Sequence, residues 1–388
     1  MRGKERRAKL VIFSATETVQ EPRLFFKIAL SAIAAGYDVV FIGQHDTSEE
    51  RQGVRIVPIH RPKGRIDRLL RTGWSVFVRA IGERGDVYHF SDPELIFLGL
   101  VLQFVTRRPV VYDLREYHSE RIRQKFWIPR LLRPPLARAY ELVEHVFLRR
   151  FAGVIAVNED LADKRLSRRC HTVVVPNYAV PSIFARSASD AALRQQYIDR
   201  RVVIYVGGMS EDRGVLHAIR AIKRVRESAP NAQLVLVGPF FDMRFKACVR
   251  ELIEDLDLLD GVELVEAIPY LDVPNYLSIA EVGLCLLQPT SPRYERTEPI
   301  KYFEYAAAGV PEVASDLIAL RRLVEENQNG LLVDATSVSD VADAVLELLQ
   351  NGDLAAEMSE NGIRAIERKY NWETVFRRLD DLYRQVIR

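Results

Sequence analysis

Short apolar runs alternate along this chain with stretches whose apolar positions recur at helical spacing. Leu10-Val11-Ile12-Phe13 runs unbroken to Ser14-Ala15-Thr16, as a strand covered on both faces does. A helical pattern follows over about 24–35 and is closed by Gly36. Further strands are predicted at 38–42, 54–58, 87–90, 109–113, 153–157 and 172–177, with helical patterns between them. A polar, weakly patterned stretch over 181–201 reads as a linker, after which the alternation restarts at 202–208, 233–238, 262–265 and 282–287. Alternation of this kind predicts an α/β fold built from doubly wound parallel sheets. At 388 residues the chain is longer than one core usually supports, so two similar domains are expected, at 1–183 and 184–369. The tail 370–388 is a helix with large apolar residues, expected to cross back to the first domain. Ligands of such sheets bind beyond the carboxyl ends of the strands, so the expectation is two Rossmann-like domains facing an interdomain cleft.

Composition narrows the picture only slightly. Hydrophobic content of 48%, charged content of 28% and a net charge of +2 are ordinary for a globular protein and exclude a nucleic-acid binder by overall charge. Cys170, Cys248 and Cys285 are widely spaced and odd in number, so neither a disulfide framework nor a zinc site is indicated, and a reducing cytoplasm fits. The basic N-terminus (Arg2, Lys4, Arg6, Arg7, Lys9) precedes an apolar run too short for a signal peptide. The run Leu95–Val105 is interrupted by Gln103 and is too short to span a bilayer.

Two segments carry candidate chemistry. In Thr297-Glu298-Pro299-Ile300-Lys301-Tyr302-Phe303-Glu304, continuing to Gly309 and Pro311, Pro299 suits the first helical position, Gly309 the residue past the end, and Pro311 prevents continuation. The free amides of Ile300 and Lys301 then open a helix beside a lysine, which makes an anion site. Glu304 lies one turn on, so a diphosphate at the helix start and ribose hydroxyls at Glu304 suit the spacing. An ordinary Lys301–Glu304 pair on a buried helix is the plainer alternative. The second segment, Tyr205-Val206-Gly207-Gly208 through Arg213-Gly214, puts two glycines at a strand end and an arginine at a helix mouth. Glycine there allows close backbone approach by a ligand, and the guanidinium fork matches a diphosphate. Neither a dinucleotide GxGxxG nor a Walker motif is present, which argues against NAD and ATP chemistry.

The order Gly-Gly-x4-Arg-Gly, then Pro-x-Lys-x-Phe-Glu-Tyr-x3-Gly-x-Pro, resembles the retaining, nucleotide-sugar-dependent GT-B glycosyltransferases of family 4. Pro176-Asn177, Ile268-Pro269-Tyr270 and Tyr370-Asn371-Trp372 are similar to further landmarks of that family, so the resemblance spans most of the chain. It implies donor binding by the second domain through Gly207, Gly208, Arg213, Gly238, Ile268, Glu298, Pro299, Ile300, Lys301 and Glu304. Arg213 and Lys301 would stabilise the departing diphosphate, Glu304 would hold the ribose, and the base would lie near Ile268. Departures from the family pattern are Gly208 for one phosphate cation, Arg296 for the first of two glutamates, and Ser91 and Arg115 for histidines.

For the first domain the resemblance implies acceptor binding by Thr16, Arg23, Asp92, Arg115 and His118, with Asp92 and Glu116 as candidate catalytic carboxylates. Arg23 would meet an acid or phosphate. The plainer alternative makes the strand-end residues helix caps, Asp92-Pro93 being a good N-cap and first-turn pair. Between 121 and 150 basic residues far outnumber acids, with Phe126, Trp127, Ile128, Leu131 and Leu132 interleaved and Pro129, Pro134 and Pro135 breaking the run. Such a segment suits peripheral contact with an anionic membrane. The expected activity is sugar transfer from a UDP- or GDP-linked donor to a hydroxyl of a glycan, lipid-linked or small-molecule acceptor, in cell-surface polysaccharide or glycoconjugate synthesis. It would need no metal or other cofactor and no nucleic acid, and would take place in the cytoplasm, including the inner face of the cell membrane. A noncatalytic sugar-nucleotide-binding relative would bind nucleotide without transfer, and a GT-B epimerase would turn over donor without acceptor.

Overall fold

The computed structural model describes residues 6–124, 128–165, 171–185 and 190–388. Arg2, Lys4, Lys125, Phe126, Trp127 and Cys170 lie outside the described residues. The chain divides into two units, Met1–Asn177 with Trp372–Arg388, and Tyr178–Asn371.

Among the described residues of the first unit, eight strands form one sheet: β1 (Lys9–Thr18), β2 (Asp38–Gln44), β3 (Glu49–Arg51), β4 (Val54–Ile59), β5 (Val87–Phe90), β6 (Val110–Leu114), β7 (Gly153–Ala156) and β8 (Thr172–Val174). Their order is β3-β4-β2-β1-β5-β6-β7-β8, and only the β3–β4 pair is antiparallel. The central runs are apolar because both faces are covered, as a parallel sheet requires. Val11, Phe13, Tyr88, Phe90, Tyr112 and Val154 share one core cluster with the helices Gly73–Glu83, Ile96–Thr106 and Arg133–Leu148, which layer that face. The opposite face receives the helix that starts at Pro22 and the C-terminal helix Trp372–Ile387. Trp372 donates through Nε1 to Ser31 Oγ at 2.9 Å and to the Lys27 carbonyl at 3.2 Å, and Tyr383 Oη lies 2.7 Å from His89 Nδ1.

The second unit holds, among its described residues, β9 (Arg201–Val206), β10 (Ala232–Val237), β11 (Val262–Val265), β12 (Val282–Cys285), β13 (Glu312–Ser315) and β14 (Gly330–Val333). They pair in parallel in the order β11-β10-β9-β12-β13-β14. From β9 the chain first builds outward to β10 and β11, then crosses to β12 on the other side of β9. The β9/β12 boundary is therefore the topological switch point, where the loops at the carboxyl ends part and leave a crevice.

The structure differs from the sequence pattern in instructive places. β1 continues to Thr18 beyond its apolar run, because Ser14, Ala15 and Thr16 bond to Asp92. The expected linker carries helices at Pro181–Phe184 and Ala191–Gln196, the second capped by Asp190 on Ala192 N, while Phe184 packs against Tyr270. β3 escapes the pattern because Glu49-Glu50-Arg51 is polar, and β13 because it opens on a buried carboxyl group, Glu312.

Candidate functional site

Within the second unit, the loops after β9 and β10 and the helix Ile300–Ala308 after β12 meet beside the switch point. The helix begins at Ile300, with Pro299 as its extended N-cap at φ −69° and ψ 135°, and Gly309 ends it. Pro299 thus stands one position before the first helical residue expected of it. Its ring fixes φ, and an extended ψ turns the chain into the helix. The first amides of the helix remain without intrahelical partners, as at any helix start.

Lys301 reaches back from this helix across β9. Its Nζ sits 3.3 Å from the centroid of the Tyr205 ring, a cation–π seat. A Cβ placed on Gly207 would lie 3.6 Å from Lys301 Nζ and 3.9 Å from Arg213 Nη1, so both cations border the same glycine. Arg213 donates from Nη1 to the Gly208 carbonyl at 3.1 Å, which fixes its fork over that loop. Gly207 and Gly238 have φ of +130° and +141°, and a Cβ on Gly238 would stand 2.2 Å from the Gly207 carbonyl oxygen. Both positions favour glycine because side chains rarely adopt that backbone region, and at Gly238 there is also no space for a Cβ. Gly238 in turn donates its N–H to Val265 at the end of β11, three residues before the half-exposed Ile268.

Burial and the like charge of Arg213 lower Lys301 to about 7, against the opposing influence of Glu304 and other neighbours. A buried lysine poised near neutrality regains its charge when an anion arrives. Glu304 is buried one turn along the same helix. Glu298 is half-buried and paired with Arg322, so its carboxylate is engaged at the rim. Beneath the helix, the fully buried Glu312 accepts from Asn329 at 3.2 Å, and burial raises its carboxyl well above the ordinary range. Phe241, 80% exposed, lies against Gly208. It is an aromatic beside the site that no periodicity in the sequence singles out.

In the first unit the candidate residues cluster at the carboxyl ends of β1, β5 and β6, but their roles differ from expectation. Arg23 is 1% exposed. It donates from Nε to Asp113 at 2.6 Å, and from Nη2 to Asp113 at 3.0 Å and to the Val175 carbonyl at 3.0 Å. Arg23 is therefore a core counter-charge and is not presented to an acceptor. Burial works to raise Asp113, yet Arg23, His89 and Arg115 together hold its carboxyl well below the usual range. Asp92 is buried and accepts from Ser14 Oγ at 2.8 Å, Ala15 N at 2.6 Å and Thr16 Oγ1 at 2.8 Å. It stands at the N-cap position before Pro93, but its carboxylate braces the end of β1 instead of capping the following turn.

Arg115 spans Asp113 at 3.3 Å, Glu21 at 3.1 Å and Glu17 at 3.6 Å. Glu116 is half-exposed and paired with Arg121, and its Oε1 lies 3.9 Å from the His118 ring. His118 is buried, with Tyr112 Oη 3.4 Å from its Nε2. The residue the sequence does not reveal is Glu17. Burial, then the neighbouring Glu21, lift its carboxyl to about 7 while Arg115 opposes them. Its side chain keeps 33% of its exposure, so it holds or releases a proton near neutrality at the strand end. Among the described residues no group of three or more His, Cys, Asp or Glu side chains is placed to hold a metal ion.

The chain matches the families described as "Glycosyl transferases group 1" over residues 192–365 and "Glycosyl transferase 4-like domain" over residues 27–178. Together the two matches take in most of the chain, which belongs to this family of glycosyltransferases. It is 29% identical over 203 residues to the GDP-mannose-dependent alpha-(1-6)-phosphatidylinositol monomannoside mannosyltransferase of Mycobacterium tuberculosis, covering 51% of each chain. It is 28% identical over 201 residues to the alpha-D-kanosaminyltransferase of Streptomyces kanamyceticus, covering 51% of this chain and 50% of that protein. The chain thus spans about half the length of the curated relatives it matches.

Solved structures align over nearly the whole length. A sucrose-phosphate synthase from Thermosynechococcus elongatus superposes with a TM-score of 0.76 at 19% identity, over 98% of this chain and 99% of that one. Anabaena HepE in complex with UDP-glucose gives 0.75 at 18% identity, over 97% and 99%. These likenesses establish the GT-B fold.

Proposed function

We propose that this chain transfers a sugar from a nucleoside-diphosphate donor to a hydroxyl acceptor with retention of anomeric configuration, in the synthesis of cell-surface polysaccharide or glycoconjugate. The observation that carries this reading is the convergence of Lys301 and Arg213 on Gly207 at the start of the helix Ile300–Ala308. Two cations and a helix start stabilise the negative charge that grows on a departing diphosphate, which is electrostatic catalysis without need of a metal. In this reading Glu304 takes the ribose hydroxyls and the base lies near Ile268. Retention follows from attack on the face the leaving group vacates, aided by the leaving phosphate, and not from a pair of carboxylates as in retaining glycosidases. In the first unit, Glu17 and Glu116 are the carboxylates presented to an acceptor hydroxyl.

Relatives named for GDP-mannose, and a fold neighbour that holds UDP-glucose, support a sugar nucleotide as donor. The phosphatidylinositol mannoside in a relative's name supports a lipid-linked acceptor. Peripheral contact with an anionic membrane through 121–150, at the inner face, belongs to the same reading, and no helix among the described residues is long and apolar enough to cross a membrane. The test is a transfer assay with UDP- and GDP-sugars against glycan and lipid-linked acceptors, the product's anomeric configuration being read by NMR. An inverted product would overturn retention. Donor turnover without any acceptor would assign an epimerase instead.

Protonation gives an independent check. Since Lys301 sits at about 7 in the free protein, diphosphate binding at pH 8 is expected to draw in a proton, and affinity is expected to fall as pH rises through 7. Calorimetry in buffers of different ionisation enthalpy measures that uptake, and Lys301→Met should abolish it. In kcat/KM, the acid limb is expected to report Glu17, so Glu17→Gln should flatten that limb while leaving the alkaline limb in place.

A further inference from the structure

The helices that layer one face of the first unit's sheet carry two apolar stripes each, and only one of them faces the core. Val76, Phe77 and Ala80 turn inward, yet Ile66, Leu70, Trp74 and Val78, spaced four apart, are 77%, 66%, 60% and 50% exposed. On the next helix Ile96 and Leu102 are buried while Phe97, Phe104 and Val105 are 63%, 84% and 55% exposed. On the third, Ala137 and Leu148 are buried while Leu136, Leu142, Val143 and Val146 stand out, preceded by Leu131 at 90%. Gly73–Glu83 packs beside Ile96–Thr106, which packs beside Arg133–Leu148. Because the inward stripes join one core cluster, the outward stripes point the same way, away from the sheet. A water-facing helix surface is ordinarily polar, and an exposed apolar surface of this extent marks an interaction site.

The charge around the stripes selects the occupant. Arg71, Arg79, Arg107, Arg130, Arg138 and Arg149 are exposed among them. Carboxylates in the same segments are few, and Glu83 is tied to Lys9 and Arg55 while Glu144 is buried. A second copy of the chain would bring like charge against this face. Anionic lipid headgroups complement the arginines, and acyl chains accept the aromatic and aliphatic side chains.

We propose that the outer surface of all three helices, not the 121–150 segment alone, is a docking face for an anionic bilayer. This rests on the reading of 121–150 as a membrane contact and extends it to Ile66–Val78 and Phe97–Val105. The face lies on the layer beyond the strands, so docking leaves the strand-end residues Glu17 and Glu116 open to an acceptor.

The test measures binding of the full chain to phosphatidylcholine–phosphatidylglycerol vesicles and to pure phosphatidylcholine by flotation. The expected result is salt-sensitive binding to the anionic vesicles, lowered by at least about tenfold in Trp74→Glu/Phe104→Glu. In a Trp127→Phe background, brominated lipid is expected to quench Trp74. Absence of vesicle binding, or wild-type binding by Trp74→Glu/Phe104→Glu, would overturn the proposal. So would lipid-free self-association that the double variant abolishes, which assigns the face to a second copy. Thermal stabilisation by nucleoside diphosphates, measured without lipid, keeps the two readings apart. The double variant should retain it, and its absence in wild type would remove the donor site while the lipid result stands.

Discussion

Replacing Lys301 with methionine is expected to lower kcat/KM for sugar transfer by about 10²- to 10³-fold, the scale on which a positioned group stabilises transition-state charge. The ammonium sits over Tyr205 beside Gly207 and Arg213, where the diphosphate charge would develop. Methionine preserves the stem that fills this space, so the loss reports charge and not packing. Stability should move the other way. The folded protein lowers Lys301 from 10.5 to about 7, so its charging cost weighs on the folded state fully below pH 7 and fades as pH rises toward 10.5. Lys301→Met should therefore melt no earlier than wild type at pH 7. Arg213→Ala should also lose a few kcal/mol of transition-state stabilisation, and less than additively with Lys301→Met because both serve one anion. Wild-type turnover in either variant would remove the assigned leaving-group site.

The second large effect is structural. Arg23→Ala is expected to destabilise the first unit by about 3–5 kcal/mol, measured by urea unfolding, because Asp113 would stay buried without its bidentate partner, with only Arg115 and His89 beside it. Arg23 donates to both carboxylate oxygens of Asp113 in a site closed to water. Asp113 is held below its ordinary 3.8 in the folded state, so its contribution is present above that value and drains away as pH falls. The double variant Arg23→Ala/Asp113→Asn should recover part of the loss, since both ends of the pair are then neutral. A loss below about 1 kcal/mol would mean the pair behaves as a solvent-screened one.

The geometry of the candidate donor site was legible because its signals are local. Pro299, Lys301, Glu304 and Gly309 fall within one short helix, and Gly207, Gly208 and Arg213 within one strand-to-helix turn, so start, stop and charge are visible without knowing what packs where. The first unit was less legible because its polar residues find partners across the fold. Arg23 meets Asp113, and Ser14 and Thr16 meet Asp92, at sequence separations that no periodicity encodes. Residues read as acceptor contacts therefore serve as internal braces. Glu17 went unseen because its elevated proton affinity comes from burial and from Glu21, against the opposing charge of Arg115, and not from a motif. Helical periodicity over 66–146 foretold helices, but it does not say which of two apolar stripes meets the sheet.

The central claim is that the helix start at Pro299–Lys301, with Arg213, is a diphosphate site. Isothermal titration of UDP, GDP, ADP and TDP into the wild-type chain, Lys301→Met and Arg213→Ala tests it most directly. One base is expected to be bound in preference to the others, and each variant to bind it at least about tenfold more weakly, as loss of a charge-assisted contact requires. Equal affinity of wild type and Lys301→Met for the preferred nucleotide, or no binding of any nucleoside diphosphate to the wild-type chain, would contradict it.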